Sequence, residues 1–167
     1  MYQTIDNVLT DSEFDVLEKN LIKPDITKDF FPWSFFSGAA YNQFEHHFIS
    51  REGEINLDFM HIPKLLAEKL NIKWEDVIRV KANCVLSRGE ESLRPAHVDG
   101  EYEHKVFLYY LTDSDGDTIF YDENRNIIDR VTPKKNTAIT FNGRQLHSSS
   151  CPIKHPYRIV INFNVKL

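Results

Sequence analysis

His97-Val98-Asp99 is the stretch from which the fold of this 167-residue chain can be worked out. On an extended strand, residues i and i+2 project to the same side, so His97 and Asp99 share one side while Val98 faces the other. Short segments rich in branched and aromatic residues lie on both sides of it, at residues 78–86 and 105–112. A histidine and an aspartate one residue apart also occur often by chance, as a loop aspartate beside a structural histidine. The flanking strands favour a pair of side chains directed into a common site.

Two residues far downstream, His147 and Arg158, strengthen this interpretation. A third ligand can come from a strand that pairs nearby, and two neutral imidazoles with one carboxylate form the facial triad that holds Fe(II) with open coordination positions. A guanidinium binds a carboxylate through two parallel hydrogen bonds. Because residues 159–161 are apolar, Arg158 is expected on a buried strand, where it needs an anion. The sequence therefore predicts a site for ferrous iron and a dicarboxylate co-substrate, with a surface ion pair as the alternative for Arg158.

The N-terminal part of the chain, residues 1–76, has helical and aromatic character. Thr10 and Glu13 have the spacing of a capping box, and the helix that follows places Phe14, Leu17 and Leu21 on one stripe. A second helix is predicted over residues 58–70. The aromatic residues between these helices predict two strands within residues 30–50.

From residue 77 onward the pattern changes to seven or eight short strands with turn residues between them. Asp115-Gly116 and Asn142-Gly143 are typical of tight hairpin turns. We therefore predict a single, mainly β domain over residues 1–167: a jelly roll at residues 77–167, supported by two N-terminal helices.

Composition and charge narrow the class of protein. Hydrophobic residues make up 41% of the chain, which includes 12 Phe and 7 Tyr, so a globular fold is expected. The formal net charge of −5 and the absence of a long Lys/Arg run make nucleic acid an unfavoured partner. No apolar stretch reaches membrane-spanning length, and the N-terminus lacks the pattern of a signal peptide. The two cysteines, Cys84 and Cys151, are interpreted as reduced thiols of a cytoplasmic protein, a disulfide being the less favoured alternative.

The residues taken together resemble a known family, the 2-oxoglutarate- and Fe(II)-dependent dioxygenases, in particular its prolyl-4-hydroxylase-like branch. These proteins carry H-x-D, a long gap, a histidine and then a basic residue some ten positions later. The resemblance covers residues 77–167 and includes the strand Phe107-Leu108-Tyr109-Tyr110-Leu111. It implies a double-stranded β-helix in which His97, Asp99 and His147 are the catalytic metal ligands, with O₂ as a further substrate. It also implies that Arg158 pairs with the distal carboxylate of 2-oxoglutarate.

Three more residues are candidates for binding the co-substrate. Tyr110 matches a strand tyrosine that in several members donates its hydroxyl to the same carboxylate, with simple core packing as the alternative. Asn162 shares a face with Arg158 by strand alternation and is expected beside the co-substrate pocket. Asn83 is similar to an asparagine that some members place against the co-substrate, although this match is looser.

The activity that the resemblance implies is hydroxylation of an unactivated C–H bond with release of succinate and CO₂. The alternatives are a cupin-like isomerase or metal-binding protein without 2-oxoglutarate, which would not need Arg158, and a non-catalytic module, which the intact triad disfavours. The barrel residues leave the primary substrate, a prolyl or other peptide residue or a small molecule, undetermined. Loops 87–96 and 100–104 and a few aromatic residues are candidates for a mouth or lid, with core packing the alternative for most of the aromatics: Trp33, Phe35, Phe36, Tyr41 and Phe44.

Overall fold

In the computed structural model, residues 2–22, 30–37 and 42–167 are described. Within these ranges the helices are α1 (Asp11–Leu21), α2 (His61–Lys69) and a short 3-10 helix (Trp74–Asp76). The strands are β1 (Gln3–Ile5), β2 (Ser34–Ser37), β3 (Asn42–Ile49), β4 (Val77–Leu86), β5 (His104–Tyr110), β6 (Thr118–Tyr121), β7 (Ile127–Val131), β8 (Thr137–Asn142), β9 (His147–Ser149) and β10 (Tyr157–Lys166).

The strands form two antiparallel sheets. The larger sheet has the order β1-β8-β5-β10-β4-β3-β2 and the smaller one the order β7-β6-β9. Beside β9, isolated bridges from Leu93 to Ser150 and from His97 to His147 take the place of a further strand in the smaller sheet. The prediction of a mainly β jelly roll with two N-terminal helices is confirmed. His97 itself lies in an isolated bridge rather than at the end of a regular strand.

Alternate side chains of β10 point to opposite faces of the larger sheet, so one face packs in the core and the other lines the site. Ile159, Ile161, Phe163 and Val165 are buried in the cluster that also contains the inward faces of both helices. Each such side chain contributes about 1.5–3 kcal/mol when fully buried. The intervening residues of β10 face the smaller sheet, where a second apolar cluster fills the interior: Val106, Leu108, Tyr110, Phe120, Ile139, Phe141 and Val160.

The two helices are stabilised as the sequence predicts. The Thr10 hydroxyl accepts a hydrogen bond from the Glu13 backbone N–H, and the Glu13 carboxylate accepts one from the Thr10 backbone N–H, which completes the capping box. Helix α1 buries Phe14, Leu17 and Leu21. Helix α2 begins at His61, three residues later than expected, and Lys69 on it forms an ion pair of 2.7 Å with Glu13.

Both hairpin predictions are wrong, because the two turns connect strands of different sheets. The first turn joins β5 in the larger sheet to β6 in the smaller one. The Asp115 carboxylate there accepts backbone hydrogen bonds from a distant loop, residues 153–155, at 2.8–3.2 Å. A Cβ on Gly116 would lie 2.8 Å from the Ser150 carbonyl oxygen. Asp-Gly is required at this corner for loop packing rather than for strand reversal.

The second turn, Asn142-Gly143, joins β8 in the larger sheet to β9 in the smaller one. A Cβ at Gly143 would lie 2.0 Å from Nε2 of His104, whose side chain is fully buried. Glycine is needed here because an imidazole occupies the space that a side chain would take.

The N-terminal part of the chain and the jelly-roll core share one sheet. Strand β4 begins at Val77, the predicted start of the jelly-roll core, but β1, β2 and β3 from the N-terminal part join the larger sheet. The single-domain organisation remains a prediction.

Cys84 and Cys151 are both free and buried. No helix within the described ranges is long and apolar enough to cross a membrane.

Candidate metal centre and active site

His97, Asp99 and His147 come together at the edge of the smaller sheet. One potential ligand atom from each lies within 4.8 Å of the others. The distance from His97 Nε2 to Asp99 Oδ1 is 3.8 Å, and the two imidazole ring centres are 4.7 Å apart. Asp99 and His147 are buried, whereas the His97 side chain is 53% exposed at the rim. The predicted triad is therefore assembled with one member facing the opening.

Backbone hydrogen bonds hold the two histidines side by side. The His97 N–H donates to the His147 carbonyl oxygen at 2.9 Å, and the His147 N–H donates to the His97 carbonyl oxygen at 3.0 Å. In an antiparallel pair, directly opposed residues point their side chains to the same face. This explains why ligands 50 positions apart in sequence converge.

The hydrogen bonds of the imidazoles leave one nitrogen of each available. Nδ1 of His97 lies 3.1 Å from the Pro95 carbonyl oxygen, and Nδ1 of His147 lies 2.8 Å from the Gln145 carbonyl oxygen. A carbonyl only accepts, so in each bond Nδ1 carries the proton and Nε2 has the free lone pair. Burial lowers the pKa of His147, which favours the neutral, ligating form. This tautomer leaves Nε2 of both histidines available to bind a metal.

Two asparagines of β10 orient the carboxylate of Asp99. The amides of Asn162 and Asn164 each donate to Asp99 Oδ2 at 3.0 Å. Burial acts to raise the pKa of Asp99, but the nearby His147 and these two hydrogen bonds outweigh it, so the pKa lies below its ordinary value. The other oxygen, Oδ1, is on the His97 side. Asn164 was missed by the sequence analysis, although it lies two residues beyond Asn162 on the same face of the strand.

Arg158 opens the inner face of β10 and is only 3% exposed. Its Nη2 donates to Thr118 Oγ1 at 2.7 Å, and its Nε has no hydrogen-bond partner. No ion pair connects it to a carboxylate within the described part of the chain. A buried cation in this condition is suited to an anionic ligand.

Tyr110 is linked to Arg158 through Thr118, and its ring also faces the guanidinium. The Tyr110 hydroxyl and Thr118 Oγ1 are 2.8 Å apart, and the Arg158 guanidinium lies 5.7 Å from the centre of the tyrosine ring. Thr118 lines the cavity in front of Arg158, whereas Tyr110 packs in the apolar cluster behind it. The sequence analysis missed Thr118, because a threonine in a β-strand carries no signal of its own.

A cavity of about 520 Å³ connects the metal-ligand cluster to Arg158. Its wall contains the three candidate metal ligands. It also contains Thr118, Arg158 and Asn162, together with Asn83, which pairs with Val160 across β4 and β10. Small-molecule sites typically have volumes of about 300–1,000 Å³. Four predicted co-substrate residues therefore fall into two groups, with Arg158, Asn162 and Asn83 on the wall and Tyr110 behind it.

The cavity wall carries further charges that the sequence analysis did not anticipate. Glu45 and Lys81 on neighbouring strands form an ion pair of 2.5 Å, and Glu45 also lies 3.2 Å from His47 Nε2. Arg51, Arg79 and Arg94 line the same cavity. Strand alternation could have indicated Arg79 and Lys81, because they share a face of β4 with Asn83.

The aromatic residues proposed for the mouth divide into one that lines the cavity and others that do not. Phe36 lines the cavity, whereas Trp33 and Phe44 pack against the cluster beneath the helices. Phe35 is 60% exposed and contacts Phe44 with ring centres 5.4 Å apart. Tyr41 lies outside the described residues. Core packing is thus the role of Trp33 and Phe44.

Comparison with known proteins places this geometry in a recognised fold. No family model and no curated protein matches the sequence. Solved structures do match: a viral collagen prolyl hydroxylase from Paramecium bursaria Chlorella virus-1, in complex with 2-oxoglutarate, has 22% identity and a TM-score of 0.58 over 99% of this chain and 96% of that one. The chain has the fold of the 2-oxoglutarate- and Fe(II)-dependent oxygenases. The jelly roll expected from the resemblance is confirmed.

Two further structures are similar over nearly the whole chain. A Pseudomonas putida prolyl-4-hydroxylase has 9% identity and a TM-score of 0.62, covering 99% of this chain and 92% of that one. A non-heme α-ketoglutarate-dependent epimerase, SnoN from nogalamycin biosynthesis, has 12% identity and a TM-score of 0.64, covering 99% and 78% respectively. The fold is thus shared by proteins with different reactions.

The donor set fits a divalent transition metal. Two imidazole nitrogens and one carboxylate oxygen on one side of an ion form the 2-His-1-carboxylate arrangement of non-heme Fe(II) sites. The hydrogen bonds at both Nδ1 atoms and at Asp99 Oδ2 supply the outer partners that such ligands require. The opening beside His97 leaves room for further ligands of the metal.

Proposed function

We propose that this protein is an Fe(II)- and 2-oxoglutarate-dependent oxygenase that hydroxylates an unactivated C–H bond. The observation that carries the proposal is that Arg158 is buried in the same cavity as a His-Asp-His cluster, with no ion pair to any carboxylate of the described residues. A metal site alone would be compatible with many proteins of this fold class. A buried guanidinium beside it calls for an anionic co-substrate.

The residues have separate roles in this proposal. His97 and His147 would hold the iron through Nε2, and Asp99 would hold it through a carboxylate oxygen. Arg158 binds the distal carboxylate of 2-oxoglutarate, and Thr118 fixes the guanidinium through the bond at Nη2. When bound, iron supplies the activation of O₂ that couples oxidation of 2-oxoglutarate to succinate and CO₂ with oxidation of the primary substrate.

The spacing along β10 supports a co-substrate that bridges the two groups. Arg158 lies four residues before Asn162, which binds Asp99, so their Cα atoms are about 13 Å apart at about 3.3 Å per residue. An arginine side chain and an extended dicarboxylate together cover such a separation. Asn83 and Val160 face each other between these two levels and would contact the middle of the co-substrate.

The alternative is a cupin-like metal protein or isomerase without 2-oxoglutarate. It accounts for the triad equally well but gives no reason for a cation at Arg158. The primary substrate is left as a prolyl or other peptidyl residue or a small molecule, because similar folds in the matched structures serve prolyl hydroxylation and epimerisation. The cytoplasmic location inferred from two reduced thiols stays a prediction.

The proposal is tested by the affinity for 2-oxoglutarate of Arg158→Ala. Loss of a charge-assisted hydrogen bond costs about 1.5–3 kcal/mol, so the variant should bind 2-oxoglutarate at least about tenfold more weakly. Binding is measured anaerobically with the Mn(II)-loaded protein, and succinate formation with the Fe(II)-loaded protein. Arg144→Ala is the matched control, because Arg144 forms a surface ion pair with Glu103 away from the cavity. Unchanged affinity in Arg158→Ala would favour the cupin-like alternative.

A further inference from the structure

A second buried arginine, Arg79, faces the cavity beyond the metal-ligand cluster. Its side chain is on the inner face of β4, and the residue is only 8% exposed. Its Nε has no hydrogen-bond partner. Within the described ranges no carboxylate forms an ion pair with it. A buried guanidinium without an ion pair needs an anionic partner here, as it does at Arg158.

Arg79 is too far from Arg158 to serve the same carboxylate. Arg158 pairs with Val85 across β10 and β4, whereas Arg79 pairs with Asn164 near the other end of the strand. Val85 and Arg79 are six residues apart, which corresponds to about 20 Å along the strand. The metal-ligand level, marked by the bonds of Asn162 and Asn164 to Asp99, lies at the Arg79 end.

The charges of the cavity leave Arg79 without a counterpart once the site is loaded. Bound iron and Arg158 together would offset the charges of Asp99 and of the two carboxylates of 2-oxoglutarate. Glu45 is already paired with Lys81. Burial lowers the pKa of Arg79, and Asp99, with a smaller contribution from Glu45, acts against this; Asp99, however, is also a candidate ligand of the metal. Loading the metal therefore removes the compensation that Asp99 provides.

Arg51 adds a second guanidinium at the same end of the cavity. Its Nη2 donates to the backbone carbonyl oxygen of Asp99 at 3.2 Å, which directs the group toward the metal-ligand cluster. It lines the cavity as well. It forms no ion pair with a carboxylate among the described residues. Two positive groups thus border the space that a primary substrate would enter.

We infer that the primary substrate carries a carboxylate, which Arg79 binds with help from Arg51 while the carbon to be oxidised faces the metal. This inference rests on the proposed function and names the chemical class of its substrate. The carboxylate belongs either to a free acid or to an acidic side chain in a peptide. In both cases the same two arginines recognise it, and the cavity volume of about 520 Å³ leaves space for it beside the co-substrate.

The test compares acids with their amides in the Mn(II)-loaded protein, kept anaerobic and saturated with 2-oxoglutarate. The free-acid pairs are glutamate with glutamine and aspartate with asparagine. The peptide-like pairs are the same residues with acetylated amino and amidated carboxyl groups. Binding is followed by the broadening of ligand proton signals by Mn(II), which reports proximity to the metal independently of turnover. In at least one pair the acid should bind at least about tenfold more tightly than its amide.

The variants identify which residues cause the preference. Arg79→Gln should remove it, and exposed Arg51→Gln should weaken it even if Arg79→Gln fails to fold. Arg144→Gln is the control and should retain it. The inference is overturned if no acid binds more tightly than its amide, or if the preference survives both cavity variants. If 2-oxoglutarate binds and Arg158→Ala weakens it while acids and amides bind alike, only this inference fails. If 2-oxoglutarate does not bind, the proposed function itself fails.

Discussion

Asn162 donates its side-chain N–H to Oδ2 of Asp99 at 3.0 Å, although the two residues lie 63 positions apart in the sequence. Asn164 makes the same bond, so one carboxylate oxygen is held by two amides of one strand. These two bonds leave the other oxygen, Oδ1, on the side of His97. One strand, β10, thus supplies both outer partners of the Asp99 carboxylate.

Removing either amide should weaken the metal site. Loss of such an outer partner typically costs 10–100-fold in metal affinity, so Asn162→Ala and Asn164→Ala should each bind Mn(II) or Fe(II) about tenfold more weakly. The pKa of Asp99 should rise, because the two bonds help to lower it. Anaerobic calorimetric titration at neutral pH measures the affinity. Asn126→Ala is the control, since Asn126 donates to the Asp122 carboxylate on the surface at 2.9 Å. Equal affinity in all three variants would show that the amides are only structural.

Thr118 should control the co-substrate through Arg158. Thr118→Val removes the oxygen that accepts from the guanidinium, and a hydrogen bond to a charged group contributes about 1.5–3 kcal/mol. Affinity for 2-oxoglutarate should fall at least about fivefold, and Thr118→Ser should restore it. Tyr110→Phe should have a smaller effect in the same direction, since Tyr110 acts through Thr118. The measurement is anaerobic binding to the Mn(II)-loaded protein. If Thr118→Val binds 2-oxoglutarate like the parent, Arg158 does not depend on this contact.

Gly143→Ala should destabilise the fold through His104. The added Cβ would lie 2.0 Å from His104 Nε2, and overpacking a filled interior typically costs about 1–3 kcal/mol. The Gly143 carbonyl also accepts the Asp99 N–H at 3.2 Å, so metal affinity should fall as well. Urea denaturation measures the free energy of unfolding. In a double-mutant cycle with His104→Ala, most of the cost should disappear. A cost that persists without the imidazole would contradict this explanation.

Acidification should destabilise the metal-free protein partly through His46. Burial lowers the pKa of His46, which lies between the rings of Phe31 and Phe48 at 4.6 and 4.5 Å. Below the unfolded-state pKa of about 6.5 the unfolded chain binds a proton that the folded state rejects, so stability falls as the pH falls. Denaturation at about pH 7.5 and about pH 5.5 should show this loss, and His46→Phe should reduce it. An identical pH dependence in parent and variant would exclude His46 as a contributor.

Strand alternation and metal-ligand chemistry make part of the site predictable from the sequence. Alternation on β10 led from Arg158 to Asn162, and the ligand chemistry singled out the triad before any contact was known. The same rule, applied one step further, would have reached Asn164. Arg79 was likewise within reach, as it shares a face of β4 with Asn83. Both residues therefore follow from strand alternation in the sequence alone.

Thr118 and the two sheet-crossing turns are different, because their roles depend on partners remote in sequence. Thr118 accepts a hydrogen bond from Arg158, which lies 40 positions away, and no residue next to Thr118 in the sequence indicates a buried cation. Asp115-Gly116 and Asn142-Gly143 have the local chemistry of hairpins, but strand pairing across the sheets decides otherwise. A dipeptide specifies that the chain turns; it does not specify which strand comes next to which.

The most direct test of the central claim is an anaerobic crystal structure with Fe(II) and 2-oxoglutarate. We expect anomalous scattering from one iron ion bonded to Nε2 of His97 and His147 and to an oxygen of Asp99. The distal carboxylate of 2-oxoglutarate should form hydrogen bonds with Arg158. The His147→Ala protein, grown under the same conditions, should show no iron at this position. Iron bound elsewhere, or 2-oxoglutarate whose carboxylates both avoid Arg158, would contradict the account.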